Sequence, residues 1–124
     1  MTQEEKKLLL KDTCARSSYG TIYNDIHGDS IVTYIDLEEG VVYLPDFDEC
    51  RSIEDVKPYL RPMSSMTEDE VKQYYKIRTG EDRYKSLGEL DAELFDFYHK
   101  NHIDYRGLIP MGLALEAPKG MYKV

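Results

Sequence analysis

The chain has 124 residues, 41% hydrophobic and 32% charged, with a net charge of −8. That length suits one domain with a real core rather than two independent ones, and the composition excludes a disordered chain. No apolar run approaches the ~20 residues of a membrane span, and the opening Met1–Leu10 stretch is too polar for a signal peptide. The expectation is therefore a cytoplasmic protein with no membrane partner.

Charge is unevenly placed. Residues 21–60 hold ten acidic side chains against Arg51 and Lys57, a local balance of −8 that equals the net charge of the whole chain. Such a surface repels phosphate backbones and argues against nucleic acid as a partner of this region. Tyrosine supplies 11 of the 14 aromatic residues, a side chain suited both to half-buried strands and to contact surfaces. Cys14 and Cys50 form no Cys-x-x-Cys pair and read as plain thiols; sequence leaves a disulfide between them open.

In chain order, Thr2 and Glu5 form a capping box that opens a helix to about Arg16, with Leu9, Leu10 and Cys14 as its apolar face and Gly20 beyond its end. Three short strands follow. Thr21–Ile26 alternates, His27–Asp29 turns the chain, and Ile31–Leu37 alternates with Ile31, Thr33, Ile35 and Leu37 on one side. Glu38–Gly40 is a tight connection, and Val41–Leu44 returns. Asp46–Cys50 reads as an acidic loop, Ser52 caps one turn that must stop before Pro58, and Tyr59–Arg61 makes a last edge strand where flanking prolines are tolerated.

The second half is helical. Thr67 with Glu70 opens a helix whose face is Val71, Tyr74, Tyr75 and Arg78, broken at Thr79–Asp82. Ser86 with Glu89 opens the strongest amphipathic helix, with Leu87, Leu90, Leu94, Phe97 and Tyr98 at helical spacing up to Lys100. Asp104 caps a turn over Tyr105–Ile109, and Leu113–Leu115 extends along the body. The fold class is α+β in a single domain 1–124: an N-terminal helix (1–19), a small SH3-like antiparallel β-sheet or barrel (20–62) and C-terminal helices (63–124).

No chemical constellation is complete. Asp46-x-Asp48-Glu49 fails as an EF-hand, with Arg51 where glycine belongs and Lys57 where the bidentate glutamate belongs. His99 and His102, near Asp96 and Asp104, could hold zinc but lack a clear third ligand, so they read as a pair at a helix C-terminus. Gly80–Ser86 lacks the second glycine and the preceding strand of a phosphate loop, and no base is spaced to activate Ser64 or Ser65. No catalytic residue, metal or cofactor is assigned. The binding candidates are Tyr59 with Arg61 and Tyr105 with Arg106, residue types that anchor interfaces. The competing account has Arg61 and Arg106 pairing with the chain's own carboxylates.

Lys57–Thr67 (KPYLRPMSSMT) and Asp104–Ala114 (DYRGLIPMGLA) resemble two signatures of small uncharacterised proteins encoded by gut Bacteroidales, their prophages and mobile elements, and the opening MTQEEKKLLLKD is similar as well. The resemblance implies a small bacterial or phage accessory protein in the cytoplasm, and it brings no activity. The expected function is a non-catalytic protein-interaction module. The alternatives are an acidic inhibitor filling the nucleic-acid groove of a host protein, direct nucleic acid binding through Lys72, Lys76, Arg78, Arg83 and Lys85, and a small metal-dependent or hydrolytic enzyme.

Overall fold

The structure, a computed structural model, describes residues 1–80 and 85–122. Helix α1, Gln3–Arg16, starts at the capping box: Thr2 Oγ1 accepts from the Glu5 N–H at 3.1 Å and Glu5 Oε1 from the Thr2 N–H at 2.9 Å. Its inward face differs from the expected one. Leu9 and Leu10 are buried, but Cys14 is exposed, and Asp12, Thr13 and Arg16 point inward instead. Leu9, Asp12, Thr13 and Arg16 lie three to four residues apart and share one face. That face is half polar, so apolar spacing alone does not find it.

Strands β1 (Tyr23–Asp25) and β2 (Gly28–Ser30) form an antiparallel hairpin with Asp25 opposite Gly28, which leaves Ile26–His27 as the turn, one residue earlier than the sequence suggests. Gly28 sits at φ 132°, and the Phe47 ring lies 3.3 Å from where a Cβ would stand. The expected strand 31–37 shrinks to β3, Tyr34–Asp36. Val32 is buried while Ile31, Thr33 and Leu37 are exposed. The cause is that the chain passes from one sheet to another between Ser30 and Tyr34, which breaks the period-2 alternation. Strands β4 (Val41–Leu44) and β5 (Glu49–Ser52) complete an antiparallel three-stranded sheet in the order β3-β4-β5. Part of the expected acidic loop is thus a strand. Its Glu-Cys-Arg-Ser sequence carries no strand propensity and is held by backbone pairing with β4.

The largest correction concerns β6, Lys57–Pro62. It is not an edge: it pairs β1 antiparallel and both β7 (Ile103–Asp104) and β8 (Leu115–Glu116) in parallel. Two prolines survive in a central strand because they fall out of phase with its donors. The N–H groups of Tyr59 and Arg61 donate to Ile22 O at 2.9 Å and His102 O at 2.7 Å, and Pro58 and Pro62 occupy alternate positions. The result is a five-stranded sheet, β2-β1-β6-β7 with β8 also on β6, beside the three-stranded one. The fold is α+β, with parallel pairings where a single antiparallel sheet was expected.

Helices α2 (Glu68–Thr79) and α3 (Leu87–Lys100) follow. Both halves of the Thr67–Glu70 capping box form, and Gly80 ends α2 at φ 62°. At α3 only the Ser86 half of the box is made, its Oγ accepting from the Glu89 N–H at 3.2 Å. The inward face of α2 is Glu70, Tyr74 and Ile77, while Tyr75 and Arg78 face solvent, a rotation from the expected face. Glu81, Asp82 and Arg83 lie outside the described residues. The main core gathers Leu9, Tyr23, Val42, Leu44, Ile53, Val56, Leu60 and Leu108, and a second cluster joins Phe97, Tyr98 and Ile103 to α2. Each such side chain contributes ~1.5–3 kcal/mol by leaving water. No helix among the described residues is long and apolar enough to cross a membrane.

Candidate functional site

The four residues singled out from sequence do not form one patch. Tyr59 and Arg61 alternate along β6, with Tyr59 half-buried and its hydroxyl pKa raised by burial and then by Asp29. Arg61 is buried and grips Glu70 with both terminal nitrogens at 2.8 and 2.7 Å, while also donating to Asn101 O at 3.2 Å and Ser65 O at 3.0 Å. Glu70 also accepts from the Thr67 N–H, and the Arg61 hydrogen bond holds its carboxyl below the usual range against the opposing effect of burial. The pair ties the start of α2 to the central strand.

Tyr105 and Arg106 belong to a different network, centred on Asp12. Asp12 is 0% exposed; its Oδ2 accepts from Arg16 Nε at 2.9 Å and its Oδ1 from Arg106 Nε at 3.0 Å. Arg16, also 0% exposed, donates from Nη2 to Ile103 O at 2.7 Å. Both guanidinium groups lie over the Tyr105 ring, Arg16 at 5.4 Å and Arg106 at 4.8 Å from its centroid, and the ring stacks on Tyr98 at 4.7 Å. Its hydroxyl meets His99 Nε2 at 2.8 Å. Burial lowers the His99 pKa, and the nearby Arg16 adds to the effect. Among the described residues no hydrogen bond or ring contact joins Tyr59 or Arg61 to Tyr105 or Arg106.

A third buried group adjoins both. His102, at φ 60°, places Nδ1 3.0 Å from Thr21 Oγ1 and stacks on Tyr122 at 3.8 Å. Burial lowers its pKa to about 4, with Arg16 and Arg61 adding to the effect. The Tyr122 hydroxyl accepts from the Ile22 N–H at 2.9 Å and donates to Tyr59 O at 2.8 Å, bridging β1 and β6. A cavity of about 350 Å³ beside Tyr122 is lined by Arg61, Pro62, Ser65 and residues 116–120, but not by Thr21 or His102. The Thr21–His102 contact is therefore enclosed, with Thr21 1% exposed. Tyr122→Phe leaves the Ile22 N–H and Tyr59 carbonyl without that partner, at an expected cost of ~1–3 kcal/mol. A urea midpoint shows the loss, and an unchanged midpoint contradicts the bridge. Among the described residues no group of three or more His, Cys, Asp or Glu is placed to hold a metal.

What faces solvent is the outer side of β3-β4-β5. Ile35, Val42 and Leu44 face the core, so Tyr34, Tyr43 and Cys50, directly opposite one another in the register, form a row on the other side. Tyr34 is 60% exposed. Acidic turns flank the row on both sides, one at each end of the strands. At one, the Asp36 carboxylate accepts from the Glu38 and Glu39 N–H groups at 3.0 Å, holding those two side chains outward. At the other lie Asp46, Asp48 and Glu49, with Asp48 accepting from the Tyr43 hydroxyl. Of the ten acidic residues between 21 and 60, Asp25 is buried against Arg51 at 3.2 Å and eight are exposed. Glu49 pairs with Arg51 and Glu54 with Lys6, and the others make no ion pair among the described residues.

Sequence reasoning missed the Tyr34–Tyr43 row, although counting outward from the Leu37–Gly40 turn pairs these two tyrosines. It also missed Asp12 and Arg16, whose i, i+4 spacing was the available signal. No protein-family model matches the chain, and neither the curated proteins nor the solved structures searched contain a match to it.

Proposed function

We propose that the chain is a non-catalytic protein-binding module that docks a basic protein surface on the outer face of β3-β4-β5. The observation that carries this reading is the tyrosine row with unneutralised carboxylates on both sides of it. Tyrosines bury large area at low entropic cost, and fixed carboxylates around them steer a cationic partner and set its register. The arginines and histidines of the interior have internal partners, which supports binding over catalysis. The resemblance to prophage and mobile-element proteins supports an accessory role in a bacterial cytoplasm. A nucleic-acid groove on a host protein is one basic surface of this kind, and the acidic turns on both sides of the row favour that second reading.

The test is affinity purification from nuclease-treated extract of the native host. The parent is compared with a Tyr34→Ala/Glu38→Gln/Glu39→Gln/Asp46→Asn variant whose fold is checked by circular dichroism. A partner held by the parent, released as salt shortens the screening length below about 10 Å, and lost by the folded variant is the expected result. A partner indifferent to both salt and variant, or none held by the parent, overturns the reading.

A further inference from the structure

Four buried side-chain polar atoms have no hydrogen-bond partner among the described residues: Thr13 Oγ1, Arg16 Nη1, Tyr23 Oη and Asp25 Oδ2. Asp25 has its cation in Arg51, 3.2 Å away. The other three belong to residues that are 0% exposed, and a buried donor or acceptor left unmatched is costly. These three also come together. Thr13 and Arg16 stand three residues apart on the inward face of α1, and Tyr23 of β1 lies against that face. Burial pushes the Tyr23 hydroxyl pKa up; Thr13 lowers it as a polar neighbour, Asp12 raises it and Arg16 lowers it. The Thr13 and Tyr23 hydroxyls are thus adjacent without making a hydrogen bond of normal geometry. The acceptors nearest Arg16 are already engaged: Asp12 Oδ2 by Arg16 Nε, Asp12 Oδ1 by Arg106, and Ile103 O by Arg16 Nη2.

We infer that Thr13, Arg16 and Tyr23 form an internal binding site for one water molecule, which links α1 to β1. A buried water makes about three hydrogen bonds, the number this trio offers. The water accepts from Arg16 Nη1 and shares donor and acceptor roles with the two hydroxyls, each of which can do either. A small anion only accepts, and it would stand beside the Asp12 carboxylate. Enclosure distinguishes this molecule from surface hydration. Every side chain that holds it is fully buried, so it leaves only when the α1–β1 contact opens locally. The inference is independent of the sheet-docking reading, whose tyrosines, Tyr34 and Tyr43, lie on β3 and β4.

Oxygen-17 magnetic relaxation dispersion on the full chain counts waters held longer than the protein takes to tumble. Thr13→Val/Tyr23→Phe removes both hydroxyls and leaves the Asp12–Arg16 pair in place. The dispersion amplitude is expected to fall by one water from parent to variant, with the fold of the variant checked by circular dichroism. Equal amplitudes in the parent and the folded variant overturn the inference. A crystal structure of the parent soaked in bromide tests the same site without relying on the variant. The expected result is a density peak about 2.5–3.2 Å from all three atoms, with no anomalous signal from bromide. A bromide peak there makes the ligand an anion, and an empty position with Thr13 and Tyr23 bonded to each other leaves no ligand at all. Either result overturns the inference.

Discussion

Arg16→Ala is expected to destabilise the chain by ~3–5 kcal/mol, the usual result of removing one partner from a buried ion pair. Both Arg16 and Asp12 are 0% exposed. The substitution leaves the Asp12 carboxylate with Arg106 alone, strips the Ile103 carbonyl of its donor, and removes one of the two cations facing the Tyr105 ring. Asp12→Leu/Arg16→Met removes both charges and is expected to cost less than Arg16→Ala, because no buried charge then remains between them. Arg106, whose side chain is 18% exposed, can turn to water. Chemical denaturation midpoints read both variants. A loss under about 1 kcal/mol for Arg16→Ala, the range of exposed pairs, contradicts an enclosed Asp12–Arg16 pair.

The second large effect is acid sensitivity centred on His102. Its folded pKa is about 4, below the ordinary 6.5, so the unfolded chain binds the proton more tightly than the folded one. The stabilisation is complete above pH ~6.5 and declines as pH falls toward 4, by ~3 kcal/mol across the window. Burial sets the direction, and the groups facing the ring add to it. Arg16 and Arg61 are cations, Thr21 and Tyr122 are neutral, and the acid partners of both arginines are already engaged. His99, lowered by burial, adds a loss of the same sign. Glu70, lowered by Arg61, contributes above its ordinary value and loses that contribution only at lower pH. Urea midpoints measured from neutral pH down to about 4.5 should fall steadily. In His102→Asn, which tolerates the positive φ of 60°, the slope should flatten. A parent with no slope in this window contradicts the buried, neutral histidine.

What was legible in the sequence was local. The Thr2–Glu5 and Thr67–Glu70 capping boxes, the Val41–Leu44 strand and the Ser52-capped turn need only neighbouring residues, and they form where their spacing places them. The role of Lys57–Pro62 was not legible, because its partners β7 and β8 lie some 40 or more residues away and its prolines mimic an edge signature. The arginines divide the same way. Asp12 and Arg16 sit one helical turn apart, whereas Arg106 reaches Asp12 from 94 residues away. Side-chain type at positions 61 and 106 is compatible with an interface anchor or an internal clamp, and only the non-local packing shows both arginines held by internal carboxylates. The exposure of Leu87 was hidden for the converse reason: regular spacing announces an apolar face without saying what covers it.

The most direct measurement of the central claim is hydrogen–deuterium exchange on the chain alone and saturated with the protein it retains. New protection is expected across residues 34–52, with β6 and the Asp12 network already slow in both states. Protection confined to Tyr59–Arg61 and Tyr105–Arg106, with 34–52 unchanged, would contradict docking through the tyrosine face.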